Sequence, residues 1–439
     1  MIRLKTFVLS AVILVVFFIP AYQNFFTNDD FLHLLISRPQ NIISLFRIYP
    51  HFRPITTQLY YSVSQSPQIL HLISLIILII ISFQVKQLVV KIGLSQKISD
   101  TAWIMYLLSS THYAHLNYSG AFHELGYTFF IMAACLTLWS KFWLSPLYFL
   151  MALLSKESAV IYPFILILLL ISGNLIPLNI PKFKFVISHF AILAIYLLFR
   201  FYFFGFASGD TYDWQFSSKI FNTAFWYGLW ALNIPEMWVD FVGPKFHINP
   251  NLFKFWLKET IAISGLFIIQ SLYIVRQFPK FKFLVFGIAW FVISLGPLLL
   301  LPWHKFSFYL TLPLVGVVII LSQIKSKMFL ITLILLSITT YNLALRTNWI
   351  SRGAETAKRF HQFTRNQKNL LTNKTIIFYD TDEDGELPWS PTKVLKDTLS
   401  DNNYFRNFFP SVSAVYLDRK PGKTGPDQYP VYSRQFLGY

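Results

Sequence analysis

The sequence predicts an all-α polytopic membrane protein of about eleven crossings, followed by a small soluble tail that is α/β or irregular. Three observations lead there. Apolar residues make up 55% of the 439 positions, charged residues 13%, and mean hydropathy is +0.50, far too apolar for a soluble chain of this length. Apolar stretches recur from residue 7 to residue 345, and at roughly 20 residues per helix each can cross about 30 Å of hydrocarbon. The net charge of +17 is mostly sidedness, because Lys86, Lys91, Lys97, Lys141, Lys182, Lys184, Arg276, Lys280, Lys282, Lys325 and Lys327 sit in short connectors, as cytoplasmic loops do.

Placing those connectors inside orders the spans. Arg3 and Lys5 precede an apolar run (about 7 to 22) that lacks an A-x-A-like cleavage site and is expected to stay as a first helix. It delivers Asp29 and Asp30 to the outer face, at the head of an outer loop over 23–66 whose "NIISLFRIY" is expected to lie in the interface. Further spans are expected at about 68–90, 101–115, 124–140, 142–154, 158–173, 185–204, 257–275, 283–301, 307–323 and 328–345. A single crossing by residues 219–250 would put Arg276, Lys280 and Lys282 outside, so that stretch is expected to be interfacial or re-entrant. The membrane domain is therefore residues 1–345 and the tail 346–439, which holds 10 of the 20 acidic residues. In the tail "KTIIFY" is expected to be a buried strand and "SPTKVLKDTLS" a helix.

Composition and motifs exclude several functions. Basic residues are nowhere interleaved with stacking aromatics on a polar surface, so nucleic acid is set aside; the 46 Phe, 23 Tyr and 12 Trp suit lipid contact and interfacial belts. A lone cysteine, Cys135, gives no disulfide framework and is expected to be a buried small hydrophobe. No G-x-x-x-x-G-K-[ST], G-x-S-x-G or H-E-x-x-H occurs. "DTDEDGE" (380–386) begins like a calcium loop, but Pro391 stands where the bidentate Glu belongs, so an acidic solvated loop is expected.

Sidedness gathers Asp29, Asp30, His51, Arg53, His112, His115, His123, Glu124, Lys156, Glu157, His304 and Lys305 at one face. Ionisable groups at membrane depth are kept mainly for function. One aspartate of the pair can act as a base while the other shifts or orients it; the plainer alternative is a cap for the helix "FLHLLI" that follows Asn28. Arg53, Lys305 and Lys156 are cations suited to a phosphate, although Lys156 and Glu157, being adjacent, could simply neutralise each other.

The order of an acidic pair, "HFRPITTQLYYSV", "HYAHLN", "LLSKESAVIYP" and "HKFSFYLTLPLVG" resembles the GT-C superfamily of polyprenyl-phosphate-sugar-dependent glycosyltransferases, nearest to its protein O-mannosyltransferase branch with the tetratricopeptide-repeat (TMTC-type) members. The likeness covers roughly residues 20–320. It departs from the branch at Tyr113 for a proline, at Asn117 for a glutamate, at His304-Lys305-Phe306 for E-R-Y, and in lacking a tetratricopeptide array. The resemblance implies a GT-C-type bundle in the cell membrane with its active site on the extracytoplasmic face. It implies inverting transfer from a polyprenyl-phosphate sugar to a hydroxyl of a protein or glycolipid, with Asp29 as base and Asp30 as its partner. Arg53, Lys156, His304 and Lys305 would bind the donor phosphate, and His112, His115, Glu124 and Glu157 would assist at the acceptor. A divalent metal would be optional. A flippase or transporter of lipid-linked sugar is the competing class.

Overall fold

The computed structural model describes residues 12–37 except 13 and 16, and residues 52–172, 182–205, 212–243, 247–386 and 389–438. "NIISLFRIY", His51 and the first basic residues lie outside the described residues.

A helical stretch over 17–22 leads to α1 (Asp29–Ile36). A π-helical turn (Pro54–Leu59) and a short helical turn (Tyr60–Val63) precede α2 (Pro67–Lys91) and α3 (Gln96–Leu107). Then come α4 (Phe122–Thr137), α5 (Ser145–Leu153), α6 (Tyr162–Ser172), α7 (Lys182–Phe204), α8 (Lys219–Ala231), α9 (Asn251–Arg276), α10 (Phe281–Leu295), α11 (Leu314–Leu321) and α12 (Lys327–Thr347). The helices pack α2 against α3 and α4, α4 against α5, α10 against α11, and α9 against α12. At the α10–α11 crossing Gly287 and Gly316 face one another so closely that a Cβ on either would strike the other's backbone, the small-residue contact by which membrane helices approach.

Among the described residues four segments are long and apolar enough to cross a membrane: Pro67–Lys91, Phe183–Phe204, Phe281–Leu300 and Lys327–Thr347. The described residues do not show the eleven expected, and the reasons are local. The span expected at 101–115 breaks after Leu107, where Asn233 Oδ1 accepts from the Ser109 hydroxyl (3.1 Å), the Ser110 hydroxyl (3.0 Å) and the Ser110 N–H (2.8 Å) and so stabilises a kinked 3₁₀ turn. The span expected at 307–323 is divided before α11 by Pro313, which has no N–H to continue a helix. Those expected at 142–154 and 158–173 are the short helices α5 and α6, each entered through a 3₁₀ turn. In the 219–250 stretch α8 is 13 residues long, shorter than the roughly 20 a crossing needs.

The tail is an α/β unit. After α13 (Trp349–Asn366) come β1 (Thr375–Tyr379), α14 (Pro391–Thr398), α15 (Asn403–Phe408), β2 (Ser413–Leu417) and β3 (Gln428–Tyr432). The sheet is parallel in the order β2-β1-β3, with Thr375 opposite both Ser413 and Gln428. The expected strand is its buried centre and the expected helix is α14, capped by the Ser390 hydroxyl accepting from Lys393 N–H at 3.1 Å. Its core is continuous with that of the bundle. Cys135 is fully buried.

The "DTDEDGE" loop corrects one expectation: its key carboxylates are buried, not solvated. Asp380 accepts from the Ser390 hydroxyl (2.5 Å), Thr392 N–H (2.8 Å) and the Thr392 hydroxyl (2.7 Å); Asp384 accepts from Thr381 N–H (2.8 Å), the Tyr432 hydroxyl (3.0 Å) and Arg434 (3.3 Å). They staple the end of β1 to the start of α14 and the end of β3.

Candidate functional site

The acidic pair is divided by its backbone. Asn28, at φ 51° and ψ −126°, occupies a region that L-residues rarely adopt, and it turns the chain so that Asp29 is exposed while Asp30 is buried. Asn28 provides no side-chain cap for α1; its Oδ1 accepts from the Thr27 hydroxyl at 2.6 Å. Asp30 instead closes the turn, accepting from Thr27 N–H at 3.1 Å and from the Tyr61 hydroxyl at 2.6 Å. Burial pushes the Asp30 carboxyl up to about 7 although those two bonds favour its charged form, and the neighbouring Asp29 charge adds to the rise. The Tyr118 hydroxyl bonds the Asp29 backbone, which brings the "HYAHLNYSG" segment against the pair.

The adjacent residues Lys156 and Glu157 do not neutralise each other. Lys156 forms an ion pair with Glu124 on α4, both side chains nearly or fully buried, and its ammonium lies 4.3 Å from the centre of the Tyr309 ring. Glu157 instead takes Arg53 in a two-point pair, Nε to Oε2 at 3.0 Å and Nη2 to Oε1 at 2.5 Å. The extended backbone of Lys156 aims successive side chains apart, and Arg53 is presented at the mouth of the π-helical turn, a distortion that often marks functional positions. His123 Nε2 stands 3.5 Å from Glu124.

His304 is half-buried, its Nε2 2.6 Å from the Tyr309 hydroxyl and its ring 4.1 Å from that of Tyr212. Burial, with help from the Lys156 and Arg53 charges, holds it down at about 4, so it is neutral at pH 7. The charges of Lys156, Arg53, Asp29 and Glu157 all act on this one imidazole. Lys305 points away from them, its ammonium 3.3 Å from Asn222 on α8 and within the field of Asp240.

His112 and His115 are buried in the broken span. His112 Nε2 donates to the Tyr106 carbonyl at 2.8 Å. The Thr311 hydroxyl donates to the Phe308 carbonyl (2.9 Å), so His115 Nε2 is the donor in its 2.8 Å bond to Thr311. Asn117, where the resemblance expects a glutamate, is a junction: it accepts from Asn24 (2.8 Å) and donates to the Tyr341 hydroxyl (2.9 Å), which donates to the Phe17 carbonyl (2.6 Å).

Sequence reasoning missed the phenols. Tyr61, Tyr118, Tyr212 and Tyr309 line the cluster, and Tyr61 and Tyr309 lie inside the stretches "HFRPITTQLYYSV" and "HKFSFYLTLPLVG" that also carry Arg53 and His304-Lys305. It also missed Glu236, whose carboxylate receives the N–H (3.1 Å) and hydroxyl of Ser307 and thereby fixes the His304 turn. Among the described residues no group of three or more His, Cys, Asp and Glu is placed to hold a metal.

No protein family, no curated protein and no solved structure matches this chain.

Proposed function

We propose that the chain is an integral membrane glycosyltransferase that moves a sugar from a polyprenyl-phosphate donor to an acceptor hydroxyl at the extracytoplasmic face of the cell membrane, with inversion. The observation that supports this reading is an exposed carboxylate, Asp29, whose charge acts with those of Arg53 and Lys156 on neutral His304. A sugar phosphate needs cations for its leaving group and an alcohol needs a base, and both must meet at headgroup depth.

In this scheme Asp29 takes the proton of the acceptor hydroxyl as its oxygen bonds to the anomeric carbon. The carbon–oxygen bond to phosphate breaks on the opposite face, and its electron pair leaves with the polyprenyl phosphate. Asp30, held by Tyr61 and Thr27, orients the pair. Arg53 meets the phosphate by exchanging part of its hold on Glu157, whose side chain is 35% exposed. His304 remains a neutral donor. An apolar groove of about 500 Å³ between α6 and α10, lined by Val160, Phe164, Leu168, Ile171, Ile293 and Pro297, starts three residues beyond Glu157 and suits a prenyl chain.

The test is to supply the protein in liposomes with polyprenyl-phosphate sugars and to compare, by mass, the glycans of cells with and without it. Release of polyprenyl phosphate with sugar on an acceptor supports the proposal. Donor carried across the bilayer uncleaved would assign the flippase class instead.

A further inference from the structure

The tail is docked on the helix that begins with the acidic pair. Asn407 on α15 donates to the Phe31 carbonyl at 2.6 Å and to the Asn403 carbonyl of its own helix at 2.8 Å. Asn28 N–H donates to the Thr398 carbonyl at 2.8 Å, so the residue with the rare backbone conformation satisfies an orphan carbonyl at the end of α14. Phe31 is fully buried edge-on to Tyr404 (5.3 Å) and Phe408 (6.2 Å), and Phe25 packs on Phe408 (6.1 Å) and His361 (4.9 Å). On α13, Gly353 lies so close to Thr27 and Asn28 that a Cβ would collide with the Thr27 hydroxyl. Three elements of the tail therefore hold residues 25–31, while the bundle meets Asp30 through Tyr61 and the turn containing Gly120.

Strained conformations persist where the surroundings over-determine them. Here the surroundings of Asn28 belong to the tail. We infer that the tail is the second wall of the candidate site, and that Asn407 is a positioning residue which holds α1, and with it Asp29 and Asp30, against the cations of the bundle. The inference that this serves catalysis rests on the proposed reactivity of the acidic pair; the docking itself does not.

The experiment uses the full-length protein in lipid nanodiscs and follows the infrared carboxyl band of Asp30 with pH, assigned by its loss in Asp30→Asn. The groups that face this carboxyl are Asp29, Tyr60, Tyr61 and Tyr118, with the Thr27 and Gly120 backbones. In Asn407→Ala the loosened helix admits water, and the midpoint falls by about one unit or more toward the ordinary carboxylate range. Asn407→Gln, which keeps the donor, recovers most of that shift. If Asn407→Ala fails to accumulate, Phe408→Leu loosens the same contact without unpairing a polar group and moves the midpoint in the same direction. A folded Asn407→Ala protein that melts earlier but keeps its midpoint near 7 overturns the inference, because a structural cap alone would do that. Sugar transfer is read in parallel: a fall in kcat with KM for the donor unchanged supports the positioning role. A wild-type protein that transfers no sugar removes the catalytic reading, while the midpoint still decides the docking.

Discussion

The chain has two acid-rich turns, one at Asp29-Asp30 and one from Asp380 to Glu386. In the second, Asp380 and Asp384 are both buried and each receives three or more hydrogen bonds, nearly all from the same small unit. In the first, Asp30 is buried and receives two, from Thr27 N–H and the Tyr61 hydroxyl, while Asp29 is left exposed with its charge acting on a neutral imidazole. A carboxylate whose lone pairs are filled by N–H and O–H donors is structural. One left open beside cations is available for chemistry, and burial alone would have pointed to the wrong acids.

The sharpest break of this contrast is Asp29→Asn. It should lower sugar transfer about 1,000-fold or more, with expression and melting temperature unchanged, measured as labelled product in liposomes; near-normal transfer would remove Asp29 as the base. Next is the buried Lys156–Glu124 pair. Glu124→Leu strands the ammonium and should cost about 3–5 kcal/mol in denaturant unfolding, whereas the double variant Glu124→Leu with Lys156→Met should recover most of it. Then comes pH. The folded Asp30 carboxyl is raised from 3.8 to about 7, so the unfolded chain loses its proton first. Asp30 thus costs nothing below about pH 4, costs more as pH rises, and reaches its full penalty above about pH 7. Asp30→Asn should raise the melting temperature at pH 8 relative to wild type and leave it unaltered near pH 4, by calorimetry. The smallest effect is Asp380→Asn, which should loosen the tail by about 1–2 kcal/mol and leave transfer by the folded protein intact.

The apolar helices and the tail's strand and helix were legible because each is written in a local period. Asp29, Arg53, Lys156 and Glu157 act on one imidazole, that of His304. The pairing was not legible. Neighbours in sequence, Lys156 and Glu157, choose partners 32 and 104 positions away, Glu124 and Arg53, and extended backbone between them is invisible to composition. Lys305 shares a turn with His304 yet points to Asn222, a matter of rotamer and not of spacing. The breaks at Leu107 and Pro313 lower the number of long spans because a polar junction from Asn233 and a proline outweigh apolar content. Docking of the tail on α1 depends on contacts more than 350 positions apart and has no local signature.

The Tyr341 hydroxyl reaches the Phe17 carbonyl across 324 positions, and Asn407 reaches Phe31 across 376. Because synthesis runs from the N-terminus, the acidic turn leaves the ribosome before either support has been made. A nascent chain stalled before α12 would carry the carboxylates but neither clasp, so maturation of the site waits for the synthesis of α12 and α15.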